Sequence, residues 1–161
     1  MKGFSLIELI VSLGLFALLS LIITMMTFSS LGVAQKANVI AQARSQGSFA
    51  LTLVSSQLRY ASDLTDWNNC NADNISYVDR FFQTTTFSKQ ADVANGDFLA
   101  SGSAIARLTN SGFIVSSCTD QATIFACNLP TRTVNICFVI TNKNDTTVGL
   151  VYKDQVLLRN R

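Results

Sequence analysis

From Phe4 to Ala34 the chain reads FSLIELIVSLGLFALLSLIITMMTFSSLGVA, an apolar run broken by one ionisable side chain, Glu8. As a helix rising about 1.5 Å per residue, Leu6 to Phe28 alone spans roughly 35 Å, enough to cross a hydrocarbon core of about 30 Å. A secretory signal has an apolar region of about 7 to 15 residues, so this run is roughly twice too long to be one. The nearest small-residue cleavage pattern, Ala41-Gln42-Ala43, lies beyond Lys36. Past the run, Val33, Ala37, Ile40, Leu51, Val54, Leu58 and Ala61 recur at helical spacing, while Lys36, Gln42 and Gln46 occupy other faces. The only proline is Pro130, and only Gly47 weakens the stretch from Lys36 to Ala61. One unbroken helix from Phe4 to Ala61 is therefore predicted, apolar on all sides over residues 4–34 and amphipathic over 35–62.

Residues 62–76, SDLTDWNNCNADNIS, are crowded with Asp and Asn, whose side chains bond nearby backbone and favour turns, so the helix is expected to end there. Tyr77 to Asn110 mixes short apolar pieces with Thr, Ser, Asn and Gly and reads as loops with one or two short strands, its phenylalanines Phe81, Phe82 and Phe87 assigned to the core. Five runs then carry strand character: Gly112–Cys118, Ala122–Asn128, Val134–Thr141, Thr147–Lys153 and Gln155–Arg159. Connections this short suit antiparallel neighbours. Alternation places Val134, Ile136, Phe138 and Ile140 on one face, the one suited to the helix. The fold class is α+β: a long N-terminal helix whose second half packs on an antiparallel sheet in a globular domain of residues 63–161.

Composition narrows the function. The chain has 161 residues, 48% apolar and 14% charged, which is too hydrophobic for disorder. Its 12 Lys+Arg and 10 Asp+Glu are scattered singly, so nothing marks a polybasic face, and DNA as a partner is not supported. There is no histidine, which removes the commonest general base and the commonest metal ligand together. No nucleophile arrangement or phosphate loop is present, and an enzyme is not expected. No cofactor or metal is expected either. Asp63, Asp66, Asp73 and Asp79 do not have the spacing of a calcium loop and read as solvated turn residues. Arg59, in the last helical turn, suits the negative end of the helix dipole.

Four cysteines, Cys70, Cys118, Cys127 and Cys137, follow the apolar run. With Lys2 on the cytoplasmic side, the positive-inside tendency puts them across the membrane, where disulfides form. Three connectivities are open to four cysteines. A hairpin centred near Arg132 would set Cys127 against Cys137 and leave Cys70 for Cys118, a register that a shift of one residue would undo.

Glu8 is the only glutamate, and a carboxylate inside an apolar segment needs a partner or a site near water. Lys2-Gly3-Phe4-Ser5-Leu6-Ile7-Glu8, followed by Leu9-Ile10-Val11, closely resembles the N-terminus of type IV prepilins and pseudopilins. The resemblance implies a leader of residues 1–3, cleavage between Gly3 and Phe4 by a membrane-embedded prepilin peptidase, methylation of the new amine of Phe4, and a role for Glu8 in subunit assembly. Cleavage would expose an ammonium in low dielectric, and it and Glu8 could neutralise each other between neighbouring subunits. Phe49-Ala50-Leu51 and Leu58-Arg59-Tyr60-Ala61, with Cys70 beyond, are similar to the helix end of PilW-type minor pilins and J-type minor pseudopilins, with Gln57 and Ser62 departing from the usual pattern.

The expectation is a minor pilin acting at the initiation complex or tip of a type IV pilus. A minor pseudopilin of a type II secretion system, acting on secreted cargo, and a membrane-anchored periplasmic binding domain are the alternatives. Expected partners are prepilin peptidase, other pilins or pseudopilins and, before assembly, inner-membrane lipid. The chain would cross the inner membrane once, with a short cytoplasmic N-terminus and a periplasmic domain, before entering a filament.

Overall fold

A computed structural model describes residues 5–65, 67, 70, 72–79, 81–92, 98–102, 106–147 and 149–158. Among these residues one helix, α1 (Leu6–Arg59), precedes nine strands: β1 (Asp63–Leu64), β2 (Asn74–Val78), β3 (Thr84–Gln90), β4 (Phe98–Ser101), β5 (Ala106–Arg107), β6 (Phe113–Ser117), β7 (Phe125–Asn128), β8 (Thr133–Asn142) and β9 (Gly149–Leu157). The helix runs without a break through Ser29–Gly32 and stops at Arg59, just before the Asp- and Asn-rich segment. The chain divides into two compact units, residues 1–39 and 40–161, and the strands all belong to the second.

Within residues 40–161, α1 buries Ala43, Gly47, Ala50, Val54 and Leu58 at spacings of four, three, four and four, one face of a helix. The stripe begins later than the sequence pattern suggests, because Val33 is 67% exposed and belongs to the apolar segment. Its first three positions are small, which lets a sheet come close to the helix backbone.

Strands β1 to β5 form an antiparallel meander in chain order. Here the sequence expectation of loops with one or two short strands is corrected. Residues 74–90 alternate Ile75 and Tyr77 inward on β2 and place Phe87 inward on β3, but Ser and Thr fill the other positions and thin the hydrophobic signal. Phe87 is in the core and stacks on Tyr77 at 5.7 Å between ring centroids, whereas Phe81 and Phe82, also expected inside, are 68% and 86% exposed at the β2–β3 turn. The Tyr77 hydroxyl donates to Gln57 Oε1 of α1 at 2.9 Å, and burial raises the pKa of this phenol.

The second sheet is built on β8. Strand β9 pairs along one side, from Thr133↔Leu157 to Thr141↔Gly149, while β7 and β6 divide the other between the two ends of β8. The two C-terminal runs read as separate strands are thus one, since nothing in Asp154 or its neighbours ends the ladder. Val134, Ile136, Phe138 and Ile140 form the inward face as expected, each at most 1% exposed. Phe138 stacks on Tyr152 of β9 at 5.3 Å. The Tyr152 ring lies against Gly47, where a methyl group would overlap it, and its hydroxyl donates to the carbonyl of Ala43 at 2.9 Å. Burial raises the pKa of this phenol too.

The expected cysteine pairing is also corrected, because the disulfides join Cys70 to Cys127 and Cys118 to Cys137, with Cα atoms 5.6 and 5.7 Å apart. The β7–β8 register sets Cys127 opposite Val134, so the hairpin centre lies between Pro130 and Thr131 rather than near Arg132. Cys137 then lies beside Ile124, to whose carbonyl its amide donates, and its side chain points to the outer face, where Cys118 closes on it. The other bridge ties the segment before β2 to β7, beside the bond from the Ile124 amide to Asp73 Oδ1 at 3.0 Å.

Gly47→Ala, which at an exposed helical site would stabilise by about 1 kcal/mol, is expected instead to destabilise by about 1–3 kcal/mol because the rigid Tyr152 ring cannot yield. Denaturant unfolding of the two chains in detergent measures the sign. Non-reducing proteolysis and mass spectrometry should recover peptides joined Cys70–Cys127 and Cys118–Cys137, and none joined Cys127–Cys137.

Candidate functional site

The first turn of α1 is set by Ser5, whose carbonyl accepts from the amides of Glu8 at 3.0 Å and Leu9 at 3.3 Å. Glu8 thus falls in the first helical turn, three residues after a serine, the spacing of a capping box. A carboxylate there is favoured by the positive end of the helix dipole. Gly3 and Phe4, the expected cleavage and methylation positions, lie outside the described residues.

From Leu6 to Asn38 every residue is exposed, and the apolar ones point in all directions: Leu6 is 78% exposed, Phe16 75% and Phe28 71%. Such a surface is costly in water at about 25 cal/mol per Å². Four hydroxyls of the segment turn back on the helix. Ser12 donates to the Leu9 carbonyl at 2.9 Å, Thr24 to Ser20 at 2.7 Å, Thr27 to Ile23 at 2.8 Å and Ser30 to Met26 at 2.9 Å. A hydroxyl bonded back in this way can sit in lipid or against other apolar helices with its hydrogen bond satisfied. By length and composition α1 is able to cross a membrane, in agreement with single-pass anchoring near the N-terminus.

The remaining sequence candidates are placed as follows. Cys118 and Cys137 lie close to Asp120, but their sulfurs are bonded to each other and offer no thiolate to a metal. The Asp120 carboxyl is held below its usual range by a hydrogen bond from Lys153. Asp63 accepts from Trp67 Nε1 at 2.9 Å, Asp73 pairs with Lys89 at 2.6 Å, and Asp79 Oδ1 accepts from the amides of Phe81 and Gln83 at 2.7 and 2.9 Å. These three carboxylates do separate local work and do not converge; Asp66 lies outside the described residues. Arg59 approaches Asp154 of β9 at 3.8 Å and is 61% exposed, a contact with little effect on stability.

Sequence reasoning missed the contact of Gly47 with Tyr152 and the bond from the Asn110 amide to Gln46 Oε1 at 2.8 Å. The signal for the first was present: an isolated glycine in a helical pattern marks either a weak point or a close approach.

Residues 1–24 match the family model described as the prokaryotic N-terminal methylation motif. No curated protein and no solved structure was found to match the chain. The match covers Lys2 to Val11, the stretch that carries the resemblance, and the apolar segment as far as Thr24. The N-terminus thus carries a type IV prepilin-like methylation motif at the head of a long apolar helix, and the whole has an α+β, pilin-like arrangement with antiparallel sheets.

Proposed function

We propose that the protein is a minor pilin, a structural subunit that prepilin peptidase cuts between Gly3 and Phe4 and that joins the initiation complex or tip of a type IV pilus. The observation that carries this reading is the apolar surface of Leu6–Ala37, exposed on every face behind a methylation motif. Such a surface is stable in the bilayer before assembly and against the helices of other subunits afterwards, so the same segment serves as anchor and as filament core.

Cleavage leaves an ammonium at the head of the apolar helix. The carboxylate of Glu8, one turn in, is placed to neutralise the ammonium of an adjacent subunit as that subunit leaves the membrane. The residues after Ile40 present a folded domain held by two disulfides, suited to an oxidising compartment. No catalytic role is assigned to it; the chain works by lateral fit.

The N-terminus and intact mass, measured on protein from membranes with and without active prepilin peptidase, test the processing step. A peptidase-dependent start at N-methylated Phe4 is expected, and retention of Met1 under both conditions would leave an ordinary anchored domain. Glu8→Val is expected to be cleaved normally yet to enter sheared filaments about tenfold less, each ~1.4 kcal/mol of lost pairing being a factor of ten. Unchanged incorporation of this variant would refute the charge pairing. Quantitative mass spectrometry of the same filaments should find the chain far below the principal subunit; equal abundance would make it a major pilin.

A further inference from the structure

The C-terminal turn of α1 borders two adjoining hollows that share Ser56 and Tyr60. One, about 530 Å³, is bounded also by Gln57, Asp79 and Phe81, and lies within the size range of small-molecule sites, about 300–1,000 Å³. The other, about 290 Å³, reaches Ser55, Arg59 and Asp154. Two aromatic side chains stand out of this groove, Tyr60 at 75% and Phe81 at 68% exposure.

The polar groups between them are held in place. Gln57 Oε1 accepts from the buried Tyr77 hydroxyl, so the orientation of its amide is set and its nitrogen remains a donor. Asp79 is anchored through Oδ1 by two amides of the β2–β3 turn. In that turn Phe82 has φ 61°, a left-handed conformation that a bulky residue adopts only under constraint, and such strain concentrates at ligand sites. Ser55, only 5% exposed, lies at the groove edge with a hydroxyl that has no hydrogen-bond partner among the described residues. That oxygen is closed to solvent and takes no part in the groove.

We infer that this groove binds a neutral carbohydrate. Among the described lining residues Asp79 and Asp154 stand against Arg59, and a phosphate or carboxylate beside either aspartate would be repelled. A wholly apolar ligand would strip water from Gln57, Asp79 and Arg59 without replacing their hydrogen bonds. A sugar ring meets both demands. Its C–H face packs on Tyr60 and Phe81, and its hydroxyls, each donor and acceptor, serve the carboxylates on one side and the amide and guanidinium on the other. The inference does not depend on filament assembly, so it can fail or hold separately from the pilin reading.

The test uses the full chain in a zwitterionic, sugar-free detergent, with lactose, cellobiose, N,N′-diacetylchitobiose and maltotriose as probes. Saturation-transfer NMR and a tyrosine fluorescence titration read binding. At least one probe should bind saturably, and Tyr60→Ala should weaken it about tenfold, the scale of one aromatic stacking contact. Ser55→Ala should raise the unfolding temperature, because the unpaired hydroxyl is gone and alanine is the better helix former. Sialyllactose, which carries a negative charge, should bind less well than lactose. Failure of all four neutral sugars to bind the wild-type chain, or binding unchanged in Tyr60→Ala, overturns the inference.

Discussion

The apolar side chains of Leu6–Ala37 are exposed all round the helix. Removing that surface from water is the constraint on which the rest depends. In the proposed function a bilayer does it first and other apolar helices later, and both settings favour polar atoms that are already satisfied within the helix. The back-bonded hydroxyls of Ser12, Thr24, Thr27 and Ser30 meet that condition. Glu8, the one carboxylate of the segment, sits in the first turn, where the helix dipole stabilises a negative charge and where the proposed pairing with a neighbouring ammonium would do so too.

The same helix then changes its task within residues 40–161. There its small residues Ala43, Gly47 and Ala50 allow a close approach, and Tyr152 takes it up by packing its ring on Gly47 and capping the Ala43 carbonyl. Gln57 makes the corresponding polar contact with Tyr77 of the other sheet. Rigidity in this domain comes from burial of Phe125, Phe138, Ile136 and their neighbours, and from bridges that tie the loops around β6 and β7 to the rest. Small, loop-rich domains gain from such bridges because the cross-link restricts the unfolded chain.

Much of the fold was legible from local pattern. The helix was read to within two residues of its observed end, and the inward face of β8 was read correctly, because both depend on periodicities of 3.6 and 2 that neighbouring residues supply. The meander of β1 to β5 was not legible, since Thr84, Thr85, Thr86 and Ser88 lend a strand little hydrophobic contrast and its pairing comes from partners distant in sequence. Phe81 and Phe82 were placed in the core on residue type alone. Their exposure follows from the turn that Asp79 holds, which no hydrophobicity pattern reveals. At the N-terminal site, Glu8 and its spacing from Phe4 were plain in the sequence, whereas the groove at Tyr60 joins residues from α1, the β2–β3 turn and β9.

By itself, the sequence determined the properties that are local: an apolar run long enough to span a bilayer, one carboxylate near its start, a methylation motif, and strands that alternate inward and outward positions. Tertiary structure alone decided which cysteines meet, which glycine admits a ring and which polar groups surround Tyr60. The physical reason is register. Sliding one strand by a residue turns its side chains to the opposite face at almost no local cost, so the choice rests on contacts between residues far apart in the chain.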